Sequence, residues 1–211
     1  LSTPLFDELN SGNIKTIRID DYTGSNVFQD HISDHRPVLW AFQVAEIPLN
    51  TDLVINEIMK NPTSSADAAG EWIEITNISD SIINLNGLIL HDDNQDQHII
   101  SSDLTVLPNE YIILGNNDDP LLNGGVIVDY VYNDFSLSNL WDEVIIAHPN
   151  GTLIDVVYYD NGENFPDESG KSMMLLNPNL DNSLGENWAV ADVIFGDGDY
   201  GTPGLENYQT D

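Results

Sequence analysis

The sequence predicts an all-β sandwich over residues 53–208, and three observations predict it. Apolar residues come in short runs, at 53–58, 111–114 and 144–147, each the length of a strand rather than of a helix. Clusters of Asn, Asp, Gly and Pro interrupt these runs repeatedly, as the tight connections of a sandwich require. No long amphipathic helical pattern and no fixed-period repeat occurs, which argues against bundles, solenoids and propellers.

In chain order, residues 14–19 alternate imperfectly as Ile, Lys, Thr, Ile, Arg, Ile, and residues 37–44 are rich in strand formers, so both read as strands. Residues 46–52 read as a linker between a first segment, 1–45, and a second domain, 53–208. Their flanking polar residues suit an exposed connector, and Pro48 cannot donate to a sheet ladder. Beyond it, strands are expected at 53–59, 71–77, 82–84, 88–92, 111–115, 126–131, 143–148, 154–159 and 171–175. Within 72–75, Trp72 and Glu74 share one face and Ile73 and Ile75 the other, so one face is expected to be buried and the other to meet solvent.

Connections follow the same logic. Asn86-Gly87, Asn123-Gly124-Gly125 and Asn150-Gly151 supply residues that accept positive φ, and Pro108-Asn109 reads as a turn into a strand. Thr202-Pro203-Gly204 reads as a rigid turn that closes the domain, and Asn56 and Asn77 as turn caps at strand ends. Trp72 is the expected core anchor. For Glu57, Glu71 and Glu74 the plain reading is a solvated strand face, with metal or partner binding as the alternative.

Charge narrows the function. Against five Lys and Arg stand 36 Asp and Glu, a formal net charge of -31 over 211 residues. Such a field repels nucleic-acid phosphates and anionic lipid, and it suits a saline or calcium-containing exterior. With no cysteine there is no disulfide framework, zinc-thiolate site or thiol nucleophile, and the redox compartment stays open. No apolar run approaches the roughly 18–20 residues of a membrane span, and residues 1–6 lack the basic and apolar regions of a signal peptide, so a soluble chain is expected.

Several segments together resemble the lamin tail domain. They are Leu53-Val54-Ile55-Asn56-Glu57-Ile58, Gly70-Glu71-Trp72-Ile73-Glu74-Ile75-Thr76-Asn77 and Ile83-Asn84-Leu85-Asn86-Gly87-Leu88-Ile89-Leu90. Further matches are Leu107-Pro108-Asn109-Glu110-Tyr111-Ile112-Ile113-Leu114, residues 144–151, Asp155-Val156-Val157-Tyr158, Trp188 and Gly201-Thr202-Pro203-Gly204. The resemblance covers about residues 53–207 and implies an immunoglobulin-like fold, found also in bacterial secreted proteins.

The first segment carries Ser33-Asp34-His35-Arg36-Pro37-Val38, which resembles the C-terminal end of the endonuclease/exonuclease/phosphatase fold. An ordinary polar turn before a strand is the competing reading. The resemblance implies a truncated α/β four-layer domain of which a strand pair is left. In that family His35 would contact the scissile phosphate and Asp34 would orient the site or assist a divalent metal, usually magnesium. The family also needs a long upstream portion carrying an Asn, a metal-binding Glu, a His and an Asp-x-Asn motif, and about 45 residues cannot build that four-layer enzyme or its metal centre, so Asp34 and His35 are expected to be inert in this chain.

The sharpest local chemistry in the second domain is a calcium loop. Asp92, Asn94 and Asp96 place oxygen ligands at alternate positions, and Asp103 follows where a late ligand could return. Gln97 stands where the turn glycine is expected, so a solvated turn competes, as it does for the acidic loops at 116–119 and 197–199. His91, His98 and His148 are dispersed, and neither a nucleophile elbow nor a phosphate-cradling glycine loop is present. Tyr111, Tyr130, Tyr132, Tyr158 and Tyr159 serve either sandwich packing or a carbohydrate or protein contact surface.

The expected function is a non-catalytic accessory module that binds or tethers, at the C-terminus of a secreted or cell-surface nuclease or phosphoesterase. The alternative is a substrate-capturing part of a metal-dependent extracellular nuclease that hydrolyses phosphodiester bonds. Magnesium and nucleic acid would belong to the parent's catalytic portion, calcium to the tail domain, and the module's own partner would be a protein or cell-surface ligand.

Overall fold

The computed structural model describes residues 13–16, 38–41, 52–93 and 96–210, the first two stretches by their backbone alone. The chain divides into two units, Leu1–Glu46 and Ile47–Asp211. In the first, strand β1 (Asn13–Thr16) pairs antiparallel with β2 (Val38–Ala41), Asn13 opposite Ala41 and Thr16 opposite Val38. The rest of the strands expected at 14–19 and 37–44, and the linker up to residue 51, lie outside the described residues.

The second unit is nearly all strand. Its elements are β3 (Leu53–Met59), a single helical turn α1 (Asp67–Gly70), β4 (Trp72–Asn77), β5 (Ile83–Asn84), β6 (Ile89–His91), β7 (Gln97–Ile99) and β8 (Thr105–Val106). There follow β9 (Tyr111–Gly115), β10 (Tyr130–Val131), β11 (Asp142–Ala147), β12 (Leu153–Tyr159), β13 (Met173–Leu175), β14 (Trp188–Val190), β15 (Ile194–Phe195) and β16 (Asp199–Tyr200). A six-stranded sheet runs β10-β9-β4-β3-β13-β14 and a four-stranded sheet β12-β11-β6-β7. Pairing is antiparallel throughout both sheets except between β9 and β10. This is the expected immunoglobulin-like sandwich.

Period-two alternation supplies the core. Ile55, Ile73, Ile75 and Leu114 from the larger sheet meet Leu90, Val144, Ile146 and Val157 from the smaller, all buried in one cluster. Each such side chain contributes roughly 1.5–3 kcal/mol by leaving water. The pairing of β3 with β4 shifts between Ile55 and Glu57, so Asn56 is an extra residue and Glu57 falls opposite Glu74. The bulge lets Ile55 and Ile58 both reach the core, which strict alternation forbids.

The expectation of one solvated face is overturned for β3 and β4, whose residues are buried on both sides. Met59, Trp72, Ile113 and Val126 form a second cluster on the outer face, with Val128 and Phe195 packed against it. Trp72 is thus an anchor of this outer core, its ring edge-on to Phe195 at 5.9 Å. The strand expected at 126–131 shrinks to β10 for the same reason. Val126 turns into the outer cluster, and Asp129 accepts the N–H of Ile113 at 2.8 Å with its side chain. Strands β7, β8, β14, β15 and β16 are two or three residues long, too short to show a period.

Candidate binding surface

The residues with the most reactive chemistry are buried carboxylates, and they hold the fold together. Glu57 and Glu74 are fully buried, not solvated as their strand positions first imply, because the segment from Gly201 onward lies over them. Glu57 accepts from the Ser172 hydroxyl and, at 2.9 Å, from both the N–H and the Oγ1 of Thr202. Glu74 accepts from Asn56 Nδ2 and from the N–H of Gly204, each at 2.7 Å. Burial pushes the Glu57 carboxyl up to about 7 against these hydrogen bonds. Burial, then the charge of Glu57, pushes Glu74 well above the ordinary range.

Three further acids do similar work. Asp155 on β12 accepts the Ile55 N–H at 2.6 Å and Asn182 Nδ2 at 2.7 Å, and burial raises it to about 6. Glu71, also buried, accepts the Leu137 N–H at 3.2 Å, and burial pushes it up to about 8. Asp199 takes N–H and hydroxyl donors from both Thr63 and Ser64. Burial opposes its ionisation, yet those donors hold it below the ordinary range.

One acidic site opens to solvent. A hollow of about 260 Å³ is lined by Asp92, Asp96, Ser136, Leu137, Ser138, Trp141 and Asp142. Trp141 stands at its side 62 % exposed, next to the also exposed Leu140. The floor is fixed by short contacts. The Ser138 N–H donates to Asp142 at 2.7 Å, the Ser136 hydroxyl to Asp96 at 2.8 Å, and the Tyr159 hydroxyl to the Ser138 carbonyl at 2.7 Å. Asp93 lies alongside, accepting from Tyr158 at 3.2 Å.

Like charge accumulates here. Burial raises the Asp142 carboxyl, and the charges of Asp92 and Asp96 raise it further. Burial raises Glu143, and Asp93, Asp142 and Asp92 add to it. Burial pushes the Tyr158 phenol up to about 12, with Asp93 contributing. The only basic residues beyond residue 47, Lys60 and Lys171, are engaged with Asp167 at 2.9 Å and Glu168 at 2.7 Å. An exposed indole beside several carboxylates can receive a cation on its face and neutralise it at its rim.

Of the residues expected to bind metal, Asp92 and Asp96 come together, the Asp96 N–H donating to Asp92 Oδ1 at 3.2 Å. Asp103 instead accepts from Asn84 and Asn86 at 3.0 and 3.1 Å, beside the β5 and β8 pair. Asn94 lies outside the described residues, as do Asp34 and His35. Among the described residues no group of three or more His, Asp or Glu is placed to hold a metal ion. No helix among them is long and apolar enough to cross a membrane. Asn77 caps a turn as expected, accepting the Ser79 N–H, whereas Asn56 sits buried at the bulge rather than at a strand end. Trp141 and Asp142 escape a pattern-based reading. Their one signal is an aromatic standing inside a Ser, Asn and Asp-rich loop.

Comparison with known proteins gives one match. The profile of the family described as Lamin Tail Domain matches residues 48–161. No curated protein and no solved structure matches the chain.

Proposed function

Because this chain belongs to the lamin tail domain family, we propose that it acts as a non-catalytic binding module whose partner presents cationic side chains to the face bearing Trp141. The observation that carries this reading is the exposed Trp141 at a hollow walled by Asp92, Asp96 and Asp142. Supporting it, Glu57, Glu74 and Asp155 are spent on main-chain and side-chain donors within the fold. Titrating the full chain with a lysine- and arginine-rich peptide, read by tryptophan fluorescence and calorimetry, tests it. Trp141→Ala leaves the net charge unchanged, so a roughly tenfold or greater loss of affinity marks a specific contact. Equal binding by the variant sinks the proposal and leaves only charge attraction.

The wider reading is an accessory module of a secreted or cell-surface nuclease or phosphoesterase, tethering it to a protein or surface ligand. Support comes from Ser33-Asp34-His35-Arg36-Pro37 in the first unit and from the net charge of -31. Asp34 and His35 alone provide neither the metal-binding Glu nor the Asp-x-Asn pair that magnesium-dependent phosphodiester hydrolysis needs. A magnesium-dependent nuclease assay on this chain should therefore show no cleavage, and robust cleavage would overturn the assignment of these residues as inert. A role in substrate capture is the second reading. It predicts that removing residues 53–208 from the parent raises KM for nucleic acid, whereas tethering predicts lost surface retention with unchanged hydrolysis of a small soluble substrate.

A further inference from the structure

We propose that residues 201–207 form a strap whose closure over β3 and β4 is governed by protonation of the Glu57 and Glu74 carboxyl pair. The two side chains are opposite one another on antiparallel strands, both fully buried, and each holds a different point of the strap. Glu57 grips Thr202 through its N–H and its hydroxyl, and Glu74 grips the Gly204 N–H. Beyond them Asn207 Nδ2 donates to the carbonyls of Asn56 and Leu175 at 3.0 and 2.8 Å. Closure is intimate at Gly201, where a Cβ would stand 2.8 Å from Glu57 Oε1 and 3.0 Å from Ser172 Oγ.

Two ionised carboxylates cannot remain adjacent in a dry site without opposing each other, so one of the two holds a proton while the strap is shut. The groups that face the pair add no positive charge. They are Ser172 on β13, Asn56 on β3, Asp129 before β10, and Thr202 and Gly204 on the strap, with Tyr111 on β9 beside Glu74 and Glu206 beside Tyr111. Beside the pair, Asn56 Oδ1 is buried and has no donor among the described residues. That proton keeps the pair at a single charge while Glu74 accepts from Asn56 Nδ2 and the Gly204 N–H. Raising the pH removes it, leaves two charges face to face, and favours release of the strap into water.

The test is amide exchange of Thr202 and Gly204 in the full chain, corrected for intrinsic rates, together with carboxyl carbon titration of Glu57 and Glu74 by NMR. Protection should fall about tenfold or more between pH 6 and pH 9, and Glu74→Gln should abolish that fall. Independently of any variant, one member of the pair should titrate above pH 6. Protection that is flat with pH, or that falls equally in Glu74→Gln, overturns the proposal. So does titration of both carboxyls below pH 5, which needs no variant to fold.

Discussion

Asp155 on β12 of the smaller sheet accepts the main-chain N–H of Ile55 on β3 of the larger sheet at 2.6 Å, crossing the sandwich with a side chain. The contact satisfies a strand donor at the bulge, where the ladder is interrupted. Asn182 joins it, and the Trp188 indole N–H closes the network on the Asn182 carbonyl at 2.9 Å. Asp155→Ala should destabilise the unit by about 3 kcal/mol in urea titration, since two buried donors lose their acceptor.

The same residue sets a pH dependence. Burial raises Asp155 to about 6 in the folded chain, above its unfolded value, so the folded state binds more protons between those limits. Its favourable contribution is complete below about pH 4 and is lost as pH rises through 6. Glu57 and Glu71, at about 7 and 8, shift in the same direction. The melting temperature should therefore be higher at pH 5 than at pH 8, by calorimetry, and Asp155→Asn should flatten the lower part of the curve.

Asp199 works in the opposite sense. Its donors from Thr63 and Ser64 hold it below the ordinary range, so its contribution is present above about pH 4 and is lost as pH falls through the folded value. Asp199→Ala should cost about 2 kcal/mol at pH 7 and less at pH 2, towards which the wild-type carboxyl gains its proton. Denaturant midpoints at the two pH values check this.

Gly201→Ala places a methyl group 2.8 Å from Glu57 Oε1 and 3.1 Å from the Phe195 ring. A loss of about 1–3 kcal/mol is expected from overpacking against a buried carboxylate. Circular dichroism melts of the variant measure it.

Trp141→Ala should do almost nothing to stability, within about 0.5 kcal/mol, because the ring is 62 % exposed. Chemical denaturation of the variant beside the wild type decides this, and it separates binding from folding at that position.

The strands that carry most of the core were legible because their apolar residues repeat over five to seven positions, as in β3, β9 and β12. The turn at Thr202 was legible because Pro203 and Gly204 fit it. Gly204 has φ of +78° and the Leu205 N–H donates to the Thr202 carbonyl at 3.0 Å. What could not be read was the cover that residues 201–207 lay over β3 and β4. Glu57 and Glu74 resemble any solvated strand acid until Thr202, 145 residues beyond Glu57, arrives to cover them. The bulge at Asn56 was equally hidden, since one extra residue leaves no mark in a pattern of mixed apolar and polar positions. The hollow escaped notice because its walls come from two loops, around 92–96 and 136–142, which only the sandwich brings together.

A chain emerging from the ribosome delivers β3 and β4 long before it delivers Gly201 to Asn207. Until those residues arrive, two acidic side chains and the main-chain carbonyls of Asn56 and Leu175 wait in water with other partners. The chain order thus sets a sequence of closure, in which a hydrated, half-finished sheet precedes the dry one. A nascent chain halted before residue 201 would keep its carboxylates ionised and hydrated, and burial of Glu57 and Glu74 would wait for synthesis of the strap.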